Sequence, residues 1–133
     1  MSYDFEVSDI QPGTPDAIFA AWMSSEGHSA MTGAEAHVDP TLGGTFDAWD
    51  GYITGRTLAL EPGRRIVQFW RTSEFTDAHE DSQIQVLLEP VGEGTRITVR
   101  HTNVPDGQTG YEQGGWQESY FDPMRQFFGR RSA

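Results

Sequence analysis

No cysteine occurs in the chain, which excludes a disulfide framework, a thiolate nucleophile and a cysteine-ligated zinc site. Lysine is absent as well: the 9 basic residues are all arginine, set against 20 acidic ones, for a net charge of −11. An acid excess of this size repels nucleic acid and anionic membrane surfaces at long range, so neither is an expected partner. Long apolar runs are missing too, since the longest, Ile18 to Met23, is far too short to cross a bilayer. The start, Met-Ser-Tyr-Asp-Phe-Glu, lacks the basic and apolar regions of a signal peptide. A cytoplasmic protein is therefore expected. With no repeat, low-complexity tract or charge block, residues 1–133 are expected to form a single domain. The histidines at 28, 37, 79 and 101 show no His-x-His or His-Glu-x-x-His spacing, so no metal or cofactor is expected.

What the chain does have is aromatic residues. Only 36% of it is hydrophobic, but it holds 8 Phe, 4 Trp and 4 Tyr, and each buried ring removes on the order of 150–250 Å² from water. The missing lysine and excess acid fit either an arginine-biased genome or a salt-rich cytoplasm that screens self-repulsion.

The periodicity divides the chain into elements. Tyr3, Phe5 and Val7 alternate with polar residues and predict a strand. Thr14-Pro15-Asp16 supplies an N-cap, a first-turn proline and an acid facing the helix dipole, ahead of the stripe Ile18, Phe19, Trp22, Met23. Ser24 to Gly33 reads as a second short helix or turn. Strands follow from Glu35 to Thr102, punctuated by Asp50-Gly51, Pro62-Gly63 and Gly92-Glu93-Gly94. In the last of them Ile97, Val99 and His101 share one side. The chain closes on a predicted helix from about Tyr111 to Phe128, with Trp116, Tyr120, Met124 and Phe127 on one face and Pro123 kinking its middle. A long amphipathic helix after a meander of strands packs across the concave face of the sheet. The fold class is therefore α+β: a curved antiparallel sheet of about six to seven strands around a long C-terminal helix, with two short helices after the first strand.

The order and spacing of Gly43-Gly44-Thr45-Phe46, Asp50-Gly51, Gly55, the run Glu61 to Trp70 and Gly115-Trp116 resembles the helix-grip domain of the START/Bet v 1-like superfamily. Within it, the chain is similar to the branch named for the homologue of the activator of heat-shock protein 90 ATPase. The resemblance runs from about Tyr3 to Phe128 and implies a cavity between the C-terminal helix and the sheet. It implies no universal catalytic set, since the superfamily includes lipid carriers, hormone receptors, polyketide aromatase/cyclase domains and the co-chaperone domain.

Candidate site residues follow from both readings. Trp22, Phe46, Ile53, Phe69, Trp116, Tyr120 and Met124 are candidate pocket walls, with His101 and Arg71 as polar contacts to a ligand. Trp49 and Trp70 belong to the same aromatic set. On the strand ending at Trp70 either Val67 and Phe69 or Ile66 and Trp70 face inward. An inward His101 offers a hydrogen bond or a general base near neutral pH. His28 is expected on the surface near a pocket mouth. Asp47, Asp50, Glu112 and Glu118 carry no spacing that forces a carboxylate pair. The stretch Gly107 to Gly115 lacks the lysine of a phosphate loop and reads as a flexible approach to the helix. The expected partner is an apolar or aromatic small molecule or a lipid. Two alternatives are a co-chaperone-like interaction with a heat-shock protein 90 type ATPase and a cyclase/dehydratase-type enzyme, and no catalytic residue is assigned.

Overall fold

A computed structural model describes residues 2–107 and 110–132; Gln108 and Thr109 of the glycine-rich stretch lie outside the described residues. The strands are β1 (Ser2–Gln11), β2 (His37–Val38), β3 (Thr45–Ala48), β4 (Ile53–Glu61), β5 (Arg65–Thr72), β6 (Ser82–Val91) and β7 (Gly94–Pro105). They form one antiparallel sheet in the order β1-β7-β6-β5-β4-β3-β2. The period-two pattern read in the sequence is the period of burial. Ile84, Val86 and Leu88 of β6 lie opposite His101, Val99 and Ile97 of β7, and all six are buried on the inner face. Phe5 and Val7 of β1 continue that face, paired with His101 and Val99.

The β3–β4 turn is the two-residue hairpin that Asp50-Gly51 predicts. Ala48 pairs with Ile53, the Tyr52 N–H donates to the Trp49 carbonyl at 3.0 Å, and Asp50 and Gly51 have φ of 58° and 88°. Trp49 also has a positive φ, 52°, which is unusual for a bulky residue. Asp50 clamps the turn, its N–H donating to the Glu35 carbonyl at 3.0 Å while its carboxylate accepts from the Glu35 N–H at 3.1 Å.

Two short helices follow β1. The Thr14 hydroxyl accepts from the Ala17 N–H at 3.2 Å and Pro15 opens α1 (Pro15–Trp22). Ser24 caps α2 (Ser25–Thr32) in the same way, and Gly33 ends it at φ 83°. The helices meet closely at Gly27, where a Cβ would sit 2.6 Å from the Ala21 Cα. That approach rolls His28 into the interior, where it is 1% exposed. The surface location expected for His28 is therefore corrected.

The C-terminal segment is helical but not one α-helix. Two π-helical turns, Tyr111–Gly115 and Gln117–Phe121, lead into α3 (Asp122–Ser132). The Gly115 N–H bonds the Gly110 carbonyl at 2.8 Å, the i to i+5 closure of a π turn. Pro123 is the second residue of α3, directly after the π turn Gln117–Phe121, so the backbone donor it lacks falls where π winding passes into α winding. The wider winding puts both Tyr120 and Phe121 inside with Trp116, Met124 and Phe128, all at most 3% exposed. The core lies between this segment, α1, α2 and the inner sheet face. Among the described residues, no helix is long and apolar enough to cross a membrane.

Candidate ligand-binding site

The inner face of β5 decides where the site sits. Ile66, Gln68, Trp70 and Thr72 point inward and are at most 4% exposed, so the second of the two strand registers holds. Phe69 and Arg71 consequently face the outer side and do not line the pocket. The buried Gln68 explains the ambiguity, since a polar residue at a core position masks the inward parity. Its role is to satisfy the core: the Trp22 indole N–H donates to Gln68 Oε1 at 3.2 Å, and Gln68 Nε2 donates to the Thr57 hydroxyl at 3.2 Å. Arg71 pairs with Asp81 at 2.8 Å and also donates to the Thr76 carbonyl at 3.0 Å, which removes it as an inward ligand contact.

A pocket of about 260 Å³ opens between the π-helical turns and the β3–β5 end of the sheet. Trp70 and Ile53 come from the sheet, Trp49 and Tyr52 from the β3–β4 turn, and Tyr111, Gly115, Trp116, Ser119 and Tyr120 from the π turns. Ile53, Trp70, Trp116 and Tyr120 form a buried floor, while Trp49, Tyr52 and Tyr111 are half-buried at the mouth. The floor rings pack on one another, with centroids 5.6 Å apart for Trp70 and Trp116 and 5.0 Å for Trp116 and Tyr120, and Tyr111 at the mouth packs on Trp70 at 5.3 Å. At the mouth the Tyr52 hydroxyl donates to Glu74, and the Tyr111 and Thr72 hydroxyls are 3.3 Å apart. Burial raises both phenols above the usual tyrosine value, and for Tyr52 the bond to Glu74 adds to the rise. The Trp49 indole N–H is buried without a hydrogen-bond partner.

Two neutral histidines stand behind this floor. His101 is fully buried; the Trp116 N–H donates to its Nδ1 at 3.2 Å, so its Nε2 carries the proton and donates to the Ser82 hydroxyl at 2.8 Å. Ser82 in turn donates to the Trp70 carbonyl at 2.5 Å. His28 Nδ1 donates to the Trp22 carbonyl at 2.9 Å, and its Nε2 accepts from the Tyr120 hydroxyl at 2.9 Å. Burial pushes His101 down to about 3 and lowers His28 as well, the latter partly offset by its bond to the Trp22 carbonyl. Neither ring has a free nitrogen for a ligand, so His101 holds a wall residue rather than touching the pocket, a correction to its expected role as polar contact or base.

Of the expected walls, Ile53, Trp116 and Tyr120 reach the pocket. Trp22 stacks behind Tyr120 at 5.1 Å, Met124 is fully buried, and Phe46 lies over Gly55, where a Cβ would fall 2.6 Å from its ring. These three support the floor without lining the pocket. Tyr52, Tyr111, Gly115 and Ser119 escaped the sequence reading. Strict strand alternation after Ala48 aims Trp49 and Tyr52 away from the core, yet both line the pocket beside a turn in which Trp49, Asp50 and Gly51 all have positive φ. Tyr111, Gly115 and Ser119 reach it through π winding, which leaves no 3.6-residue signal. A wider groove of about 680 Å³ crosses the outer sheet face past Asp47, Arg56, Arg71 and Asp81. It is open, with ion pairs Arg71–Asp81 and His37–Asp47 along it, so it lacks the desolvated character of a small-molecule site.

A seven-stranded antiparallel sheet gripping a C-terminal helix over an aromatic pocket defines the Bet v 1-like helix-grip class. The family described as activator of Hsp90 ATPase homolog 1-like protein matches residues 12–129, and the chain belongs to that family. It is 27% identical over 116 residues to the human activator of 90 kDa heat shock protein ATPase homolog 1, a match covering 87% of this chain and 34% of that protein. The chain thus spans about a third of the curated relatives it matches. Among solved structures it is similar to an HSP90 activator from Plasmodium falciparum, with a TM-score of 0.83, 21% identity and 96% of each chain covered. CalU16 from Micromonospora echinospora has a TM-score of 0.76 and 21% identity, over 97% of this chain and 78% of that one.

Proposed function

We propose that this chain binds a small apolar or aromatic molecule in the pocket between β3–β5 and the π-helical turns. The observation that carries this reading is a space of about 260 Å³ left open inside a wall of six aromatic side chains. Rings this large ordinarily close on one another, because protein interiors pack to crystal density. Here the strained backbone of Trp49 and the π winding of the helix hold the rings apart. Native mass spectrometry of freshly purified protein, followed by thermal shift with fatty acids, sterols and aromatic polyketides, tests the reading. A bound mass or a ligand-dependent rise in Tm is expected, and a bare mass with no rise across the panel would falsify it.

A second reading, regulation of a heat-shock protein 90 type ATPase, is favoured by the similarity to the human activator over 116 residues. It predicts that the purified chain changes the rate of ATP hydrolysis by heat-shock protein 90, with or without the pocket filled. An unchanged rate at saturating protein counts against it.

A further inference from the structure

We propose that the pocket selects an organic cation, a quaternary or tertiary ammonium group, over a neutral or anionic ligand of the same shape. The inference rests on the binding reading above and deepens it. Three Trp and three Tyr side chains line the pocket, and no arginine or histidine does. The negative faces of such rings attract a cation, most strongly where water is excluded, and an aromatic cage of this kind is a physical solution to recognising an ammonium group that donates few or no hydrogen bonds. The Trp49 N–H is buried without a hydrogen-bond partner, and Trp49 adds its ring to the aromatic lining.

Charge at the mouth points the same way. Tyr52, on the rim, donates its hydroxyl to the Glu74 carboxylate. A phenol that donates to an anion carries more electron density in its ring, and the carboxylate is held against a residue that lines the pocket. Glu74 is exposed. The net charge of −11 adds long-range attraction for cations and repulsion for anions. An anionic ligand would be desolvated against rings and beside a carboxylate with no counter-charge among the lining residues.

Three molecules of one shape test this: choline, its uncharged carbon analogue neohexyl alcohol, and the anion of tert-butylacetic acid. Calorimetric titration of the full chain should give choline about tenfold tighter binding than neohexyl alcohol, with no detectable binding of the anion. Glu74→Gln, on the surface and outside the core, should weaken choline about threefold and leave neohexyl alcohol unchanged. Trp49→Leu should reduce the preference for choline while circular dichroism reports the fold. Equal binding of choline and neohexyl alcohol, or a preference for the anion, overturns the cation inference while leaving the pocket a binding site. If none of the three binds although the apolar panel raises Tm, the inference again fails alone. If that panel fails as well, both readings fall.

Discussion

The two faces of the sheet solve the problem of polar side chains in opposite ways. Inward, Gln68, Thr72 and the neighbouring Ser82, His101 and His28 are uncharged, buried and joined by directed hydrogen bonds to Trp22, Trp116, Trp70, Tyr111 and Tyr120. Outward, Arg65, Arg71, Arg96 and Arg100 pair with Glu61, Asp81, Glu89 and Glu6 at 2.7–3.1 Å in contact with solvent. Removing one member of a buried neutral network leaves its partner's desolvation penalty uncompensated, whereas exposed ion pairs contribute little. The aromatic floor of the pocket therefore owes its shape to the inner face, and the outer face is far more tolerant of substitution.

That contrast is open to test, the largest effect first. Trp116→Ala removes a ring that packs on Trp70 and Tyr120 and frees the His101 nitrogen, and it should lower stability by about 3–5 kcal/mol in urea unfolding. A loss below about 1 kcal/mol would mean that Trp116 is not part of a packed floor.

Acidification comes next. His28 and His101 are both lowered from 6.5 in the folded state, so above that pH both states are neutral and no stability depends on them. Below 6.5 the unfolded chain binds protons that the folded chain refuses. Stability should then fall as the pH drops below 6.5, both histidines acting in the same direction. For His101 the fall continues towards pH 3. His101→Gln should flatten the Tm against pH curve below 6.5; a curve of unchanged slope contradicts the buried neutral imidazole.

Gln68→Leu keeps the volume but strands the Trp22 N–H and the Thr57 hydroxyl, and a loss of about 1–3 kcal/mol is expected. At the small end, Arg96→Gln breaks an exposed pair with Glu89 and should change stability by less than about 1 kcal/mol. If the surface change matched the buried one, the contrast between the faces would collapse.

The elements legible in the sequence are those whose local chemistry acts alone. Thr14-Pro15, Ser24 with Gly33, and Asp50-Gly51 fix their caps and turn whatever surrounds them. The alternation of Ile97, Val99 and His101 likewise decides its own face. The site was less legible because it departs from period. Gln68 hides the parity of β5 through a polar core position, Trp49 leaves alternation at a positive φ, and the π turns bring Tyr111, Gly115 and Ser119 to one wall at spacings that no α-helical pattern contains. His28 was missed for a related reason: its burial depends on Gly27 letting α1 and α2 touch, a tertiary fact written in a single small residue.

The most direct test of the pocket is heteronuclear NMR of the indole N–H groups during titration with an aromatic polyketide or choline. Saturable shifts at Trp49, Trp70 and Trp116 are expected, with a smaller response at Trp22, which lies behind the floor and is held by Gln68. A shift confined to the Trp22 indole, or none at the three pocket indoles at saturating ligand, would contradict the account.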